Sequence, residues 1–147
     1  MVPFRLLQKQ EYRRPWHPLT SVLKDVELHV YGNVYRIGFT RVFSVNNIRV
    51  GLPFRDNHGV VAQRIGSSVS ITTPFGLQVL YDGSWQNFVY LCDSYAGHVC
   101  GLCGNADGNR NNDFVDRHGV PVIISFFDLY YIDKIKQLNN LCIIQII

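Results

Sequence analysis

The residues most able to do chemistry lie in one segment, residues 100–114 (CGLCGNADGNRNNDF), where a Cys-x-x-Cys pair directly precedes a group of Asn and Asp residues. Calcium takes six to eight oxygen ligands from Asp, Asn, backbone carbonyls and water. Gly104 and Gly108 would let the backbone fold around such an ion. The residues that would supply the oxygens are Asn105, Asp107, Asn109, Asn112 and Asp113. The segment predicts a calcium-binding loop beside two cysteines; the alternative is a solvated polar turn, since these residue types also favour turns.

The cysteines allow three kinds of chemistry. Three of the four lie between positions 92 and 103, so one of them needs a partner elsewhere in the chain or in a disulfide-linked oligomer. Structural disulfides through Cys92, Cys100 and Cys103 are the first expectation, because this is the usual role of cysteine in secreted modules. The Cys100–Cys103 pair also suits thiol–disulfide exchange, although no βαβ pattern accompanies it. A zinc site that adds His98 to these cysteines is the third alternative, with a spacing that is cramped for zinc.

The composition is that of one globular domain. The chain has 147 residues, of which 47% are hydrophobic and 17% are charged, and these values exclude a disordered chain. The net charge of +3 includes no long run of Lys or Arg, so the sequence does not favour nucleic-acid binding. No apolar stretch has the length of a signal peptide or a membrane span. The cysteines indicate a secreted protein and the first residues carry no signal peptide, so we expect a fragment of a longer protein.

The elements that must position the loop are predicted to be β-strands. Between residues 25 and 91 apolar and polar residues alternate, as in Val26, Leu28 and Val30, and a period of two is typical of half-buried strands. Four pairs of such strands are separated by turn-forming residues. The four turns are Gly32–Asn33, Asn46–Asn47, Gly66–Ser67 and Asp82–Gly83. The pattern predicts an all-β protein built as an antiparallel sandwich or a barrel-like sheet.

The two ends of the chain differ from this middle part. Residues 1–24 contain Pro3, Pro15 and Pro18 with a basic cluster, and we expect weak order there with at most one strand. Residues 120–147 are rich in Ile and contain no glycine. For this second segment we expect a strand and a short helix, or a segment foreign to the domain.

Several stretches of the sequence resemble the von Willebrand factor type D domain family. They are residues 72–83 (TTPFGLQVLYDG), residues 94–105 (SYAGHVCGLCGN), the closing residues 112–114 (NDF), and residues 45–53 (VNNIRVGLP), which are similar to the family's mid-domain hairpin. The resemblance covers roughly residues 20–116, and its motifs are long enough to be specific. It implies an extracellular all-β module of adhesion, mucus or matrix proteins, without catalytic residues.

The resemblance also implies a metal site. In this family the loop after CGLCGN binds calcium, and the matching ligands are Asn105, Asp107, the Asn109 carbonyl, Asn112 and Asp113. The family's opening Gly-Asp-Pro-His segment, whose Asp adds a ligand and whose nearby Cys pairs with the CGLC region, does not occur in this sequence. After Asp116 the sequence departs from the family, which continues into a cysteine-rich module. These departures imply a truncated, antiparallel sandwich-like type D domain over residues 1–119, and a divergent tail over residues 120–147.

The expected function is therefore that of a noncatalytic, calcium-braced and disulfide-linked structural module outside the cell. Its expected partners are neighbouring modules of the same protein or other extracellular glycoproteins, with no nucleic acid and no membrane span. The alternative function is thiol–disulfide exchange through Cys100 and Cys103.

Overall fold

In the described part of the chain, the strands are connected by turns and short 3-10 helices. The computed structural model describes residues 1–12, 21–101, 104–113, 118, 120 and 141–146. Helical structure within these ranges is limited to three short 3-10 helices, Phe39–Arg41, Asp93–Tyr95 and Arg110–Asn112. In this described part of the chain no helix has the length and apolar character that crossing a membrane requires. The strands are β1 (Phe4–Tyr12), β2 (Ser21–Val30), β3 (Asn33–Gly38), β4 (Phe43–Val45), β5 (Ile48–Arg49), β6 (Phe54–Arg55), β7 (Val61–Ile65), β8 (Ser68–Thr72), β9 (Gln78–Tyr81), β10 (Asn87–Tyr90), β11 (Val99–Cys100) and β12 (Leu141–Ile146).

These strands form two antiparallel sheets. The first sheet has seven strands in the order β11-β12-β1-β2-β3-β4-β5, and the second has five in the order β10-β9-β8-β7-β6. The described pairs of neighbouring strands are all antiparallel. The prediction of an all-β, antiparallel fold is confirmed.

One hydrophobic core is shared by the two sheets. Leu6, Leu28 and Ile37 enter it from the first sheet, and Ile71 and Val79 enter it from the second; all five are fully buried. Burying a side chain of this size contributes about 1.5–3 kcal/mol relative to leaving it exposed. The alternation that predicted the strands is therefore the pattern that places these side chains in the core.

The predicted hairpin turns follow from residues that tolerate a positive φ. Asn46 and Asn47 join β4 to β5 with φ angles of 50° and 65°, as predicted. The turn between β2 and β3 lies one residue earlier than predicted. It is formed by Tyr31 and Gly32, with φ angles of 53° and 74°, because Asn33 already begins β3.

For residues 1–24 weak order with at most one strand was expected; β1 is a strand in the first twelve residues and is paired on both sides rather than weakly ordered, and residues 13–20 lie outside the described ranges. β1 pairs with β2 along its whole length and with β12 on its other side. Phe4 and Leu6 alternate into the core, but Leu7 beside them is also buried. Two adjacent buried residues hide the period of two, so the strand was not evident from the sequence pattern.

The described part of the C-terminal segment contains one strand. β12 pairs with β1, for example Leu6 with Ile144, and with β11, where Val99 lies opposite Ile146. The strand expected in residues 120–147 is thus present and belongs to the first sheet. The short helix expected there falls on residues 132–138, which lie outside the described ranges.

Candidate metal-binding loop

The loop of residues 104–113 follows β11 in the chain. Val99 and Cys100 are buried in that strand. The Gly97 N–H donates to the backbone oxygen of Asn105 at 2.8 Å, and Asn105 is itself buried, with 7% of its surface exposed. The turn that leads into β11 therefore holds the backbone near the start of the loop.

The two ends of the loop meet at Gly104. Its φ is +80°, in the region that favours glycine, and a Cβ placed on it would lie 2.6 Å from Cγ of Asp113. The Asp113 carboxylate accepts the backbone N–H of Asn105 at 3.4 Å. Gly104 thus allows the carboxylate of the last loop residue to lie against the backbone of the first.

The carboxylate of Asp107 is the centre of the loop. Its Oδ2 accepts the side-chain amides of Asn112 at 2.8 Å and Asn105 at 3.1 Å, and its Oδ1 accepts the backbone N–H of Asn109 at 2.7 Å. These hydrogen bonds, that from Asn112 first, lower the pKa of Asp107 below its ordinary value. The carboxylate therefore stays charged in acid where an ordinary Asp takes up a proton.

Every second residue at the start of the loop accepts a hydrogen bond from the backbone N–H two residues further along the chain. Oδ1 of Asn105 accepts the N–H of Asp107 at 3.1 Å, and Oδ1 of Asn109 accepts the N–H of Asn111 at 3.2 Å. An Asx side chain that bonds the backbone two residues on forms a turn of its own. Three successive turns of this kind begin at Asn105, Asp107 and Asn109, and they point their oxygens into one small loop.

The donor set of the loop suits a hard cation. Its side chains carry oxygen and amide groups, and Asp107 and Asp113 give it two carboxylates. The amide nitrogens of Asn105 and Asn112 face Asp107, and rotation of an amide by half a turn exchanges its nitrogen for its oxygen. The same side chains can therefore turn oxygens toward a cation held by the carboxylate. Among the described residues no three His, Cys, Asp or Glu side chains cluster; Cys103, one of the ligands of the alternative zinc site, lies outside them.

The model of the von Willebrand factor type D domain matches residues 5–120, which include β1 as well as the loop. This chain belongs to the von Willebrand factor type D domain family. The resemblance seen in the sequence motifs is thus confirmed, and the match extends it toward the N-terminus.

Relatives of this type D domain include large proteins. It is 35% identical over 122 residues to IgGFc-binding protein of Homo sapiens, covering 81% of this chain and 2% of that protein. It is 35% identical over 118 residues to zonadhesin of Sus scrofa, covering 80% of this chain and 5% of that protein. It is 33% identical over 132 residues to alpha-tectorin of Homo sapiens, covering 86% of this chain and 6% of that protein. The chain therefore spans a small fraction of the length of these relatives.

The cysteines of the type D domain lie in different surroundings. Cys92 is exposed just beyond β10, and the Ser94 hydroxyl donates to its sulfur at 3.5 Å, which lowers the pKa of the thiol. Cys100 is buried in β11, whereas reactive cysteines are partly exposed. Cys103 lies outside the described residues, so the predictions of a disulfide or an exchange site at the Cys100–Cys103 pair stay predictions.

A second polar cluster, which the sequence did not reveal, supports the fold. The Tyr35 hydroxyl donates to the carboxylate of Asp56, which also accepts the backbone N–H groups of His58 and Val60 at 2.9 Å. Burial and this hydrogen bond raise the pKa of Tyr35 to about 12. In the sequence, the sign of this cluster is Asp56 shortly before Gly59, a turn pattern that is too common to predict a polar cluster. This cluster ties β3 to the turn between β6 and β7 and lies apart from the candidate loop.

Proposed function

We propose that this chain is a noncatalytic structural module of a larger extracellular adhesion, matrix or mucus protein. Its membership of the type D family supports this, as does its similarity to zonadhesin, mucin-2 and alpha-tectorin. The chain matches 2–6% of the length of those proteins, as expected if it is one module among many. Neighbouring modules of the same protein and other extracellular glycoproteins are the proposed partners.

The proposed role of the loop is to bind calcium and to stiffen the end of the first sheet. The observation that carries this proposal is the convergence of the Asn105 and Asn112 side chains on the Asp107 carboxylate. Asp113 and the Asn109 carbonyl complete the proposed ligand set. Calcium would supply a positive charge that holds these oxygens together, and water would complete its coordination.

Calcium binding to this loop would stabilise the folded domain by mass action. An ion that binds only the folded state contributes about 2.7 kcal/mol when its concentration is one hundred times its Kd. For a chain of this size each kcal/mol raises the melting temperature by about 2–4 °C. We therefore expect calcium at that concentration to raise the melting temperature by about 5–11 °C.

Disulfides are the second proposed brace. Cys100 lies in β11, four residues before Gly104, so a disulfide there would hold the start of the loop near the sheet. Cys92 is exposed, and a bond from it could link a neighbouring module. The burial of Cys100 supports a structural role over thiol–disulfide exchange. An insulin-reduction assay separates the two, because exchange requires that Cys103→Ser lower the rate and a structural role requires the background rate from both proteins.

The calcium proposal is tested by thermal unfolding of the full chain with calcium and with a chelator. Asp107→Asn keeps the shape of the side chain and removes its charge, and Asp93→Asn makes the same change at an exposed site outside the loop. We expect calcium to raise the melting temperature of the wild type and of Asp93→Asn, but not that of Asp107→Asn. Equal melting temperatures of the wild type with calcium and with chelator contradict the proposal.

A further inference from the structure

The five-stranded sheet has one edge that is protected and one that is not. An edge strand leaves backbone N–H and C=O groups unpaired, and proteins often protect such edges with short strands, charges or proline. β6 at one edge has two residues, of which Arg55 is charged, and it follows Pro53, which has no N–H. β10 at the other edge has four residues (NFVY) and contains neither proline nor a charge. Among the strands that the structure describes, β10 is thus the edge of this sheet that is open to another strand.

Large aromatic side chains are exposed on and beside β10. Phe88 and Tyr90 are 53% and 57% exposed, and Val89 between them packs against the core. Trp85, in the turn that leads into the strand, is 61% exposed. We call Trp85, Phe88 and Tyr90 the aromatic edge. A cluster of exposed aromatic groups beside unpaired backbone fits a partner that adds a β-strand and covers apolar surface.

We propose that the partner is β10 of a second copy of this chain, paired antiparallel across a twofold axis to give a continuous ten-stranded sheet. Opposite residues of an antiparallel pair point to the same face, so an outward residue must lie opposite an outward residue. Centring the axis on Val89 satisfies this condition. It places Phe88 of each copy opposite Tyr90 of the other and Val89 opposite Val89. The outer face then gains two aromatic cross-strand pairs, and the inner face continues the core.

The area that this pairing covers predicts a weak dimer. A buried aromatic side chain covers about 150–250 Å², so the exposed parts of Phe88 and Tyr90, which this register pairs, offer about 165–275 Å² per copy. Two copies would cover about 330–550 Å² through these side chains, and the paired backbone adds to this. Stable interfaces cover about 1,200–2,000 Å². The dimer is therefore reversible and depends on concentration, which suits a contact repeated between neighbouring molecules.

The test is sedimentation of the full chain from about 1 µM to about 1 mM, a range that spans weak binding constants. All proteins carry Cys92→Ser, so that no disulfide through this exposed thiol adds to the association. Phe88→Glu/Tyr90→Glu places like charges opposite each other in the proposed register. Phe88→Lys/Tyr90→Glu places opposite charges there. Ile48→Glu is the matched control, because Ile48 is 70% exposed on β5, which ends the other sheet. Circular dichroism checks that each variant is folded.

We expect the parent chain and Ile48→Glu to dimerise with similar constants. Phe88→Glu/Tyr90→Glu should weaken the dimer by at least about tenfold, and Phe88→Lys/Tyr90→Glu should dimerise better than that variant. A parent chain that stays monomeric over the whole range overturns the proposal, even where the aromatic edge binds some other protein. Equal weakening by Ile48→Glu, or no difference between the two double variants, also overturns it.

Discussion

Replacing Gly104 by alanine should destabilise the loop more than the same change at Gly108. Both glycines have a φ near +80°, so both substitutions cost about 1–2 kcal/mol in backbone strain. The surroundings of the two differ. No atom of the described residues lies within 4 Å of a Cβ at Gly108, whereas a Cβ at Gly104 would overlap the carboxylate of Asp113. The pair of variants therefore separates backbone strain from loss of the Asp113 contact.

The size of the difference follows from the hydrogen bond that must break. The Asp113 carboxylate has to turn away from Gly104, and the backbone N–H of Asn105 then loses its acceptor. Because Asn105 is buried, that loss costs about 1–3 kcal/mol. We expect a total of about 2–5 kcal/mol for Gly104→Ala and about 1–2 kcal/mol for Gly108→Ala.

Urea unfolding followed by circular dichroism measures the difference. With an m-value of about 2 kcal/mol per molar urea, the midpoint of Gly104→Ala should lie about 0.5–1.5 M below that of Gly108→Ala. Hydrogen exchange at the Asn105 amide should also accelerate more in Gly104→Ala, since this amide loses its acceptor. Equal midpoints and equal exchange in the two variants would refute the packing of Asp113 against Gly104.

Three further predictions concern charged and ionisable groups. The pKa of Asp107 is lowered in the folded protein, so an NMR titration of this carboxyl group should give a midpoint below 3.8. The contribution of this lowered pKa to the free energy of unfolding is fully present above pH 3.8 and is lost as pH falls through the folded-state pKa. The raised pKa of Tyr35 means that its contribution to the stability of the fold is complete below pH 10 and is lost as pH rises toward 12. Ultraviolet titration of tyrosinate should show Tyr35 ionising near the upper end of this range, and Tyr35→Phe should remove that ionisation. Asp25 is 1% exposed, and its carboxylate is bonded to Arg36 at 2.7 Å. Arg36→Met removes this partner from a buried charge, so urea unfolding should show that the free energy of unfolding falls by about 3–5 kcal/mol. Arg36→Lys keeps a positive charge and should lower it less.

The parts of the fold that the sequence predicted are those set by local chemistry. The hairpin turn at Asn46–Asn47 was predicted because these side chains tolerate a positive φ. Strands β6 and β11 have two residues each, too few for a period to be visible, and they exist because a partner strand lies beside them. β12 pairs with β1, which is far from it in the chain, and no local pattern could indicate that pairing.

The same division applies to the candidate loop. Residue types alone indicated which side chains could bind calcium, because Asp and Asn oxygens are its usual ligands. They did not indicate that Asp107 accepts three hydrogen bonds within the loop. Nor did they indicate that Gly104 has to be glycine because Asp113 lies against it. Both features depend on how the loop closes, and closure is fixed by the contact between Gly97 and Asn105 at the end of the first sheet.

Direct measurement of calcium binding tests the central proposal best. Calcium is titrated calorimetrically into the 147-residue chain and into Asp107→Asn, with Asp93→Asn as the control. We expect one ion per chain with a Kd of about 10⁻⁴–10⁻³ M, the range of extracellular modules, and at least about tenfold weaker binding by Asp107→Asn alone. Absence of binding heat at several times that concentration, or identical binding by the wild type and Asp107→Asn, would contradict the assignment of this loop as a calcium site.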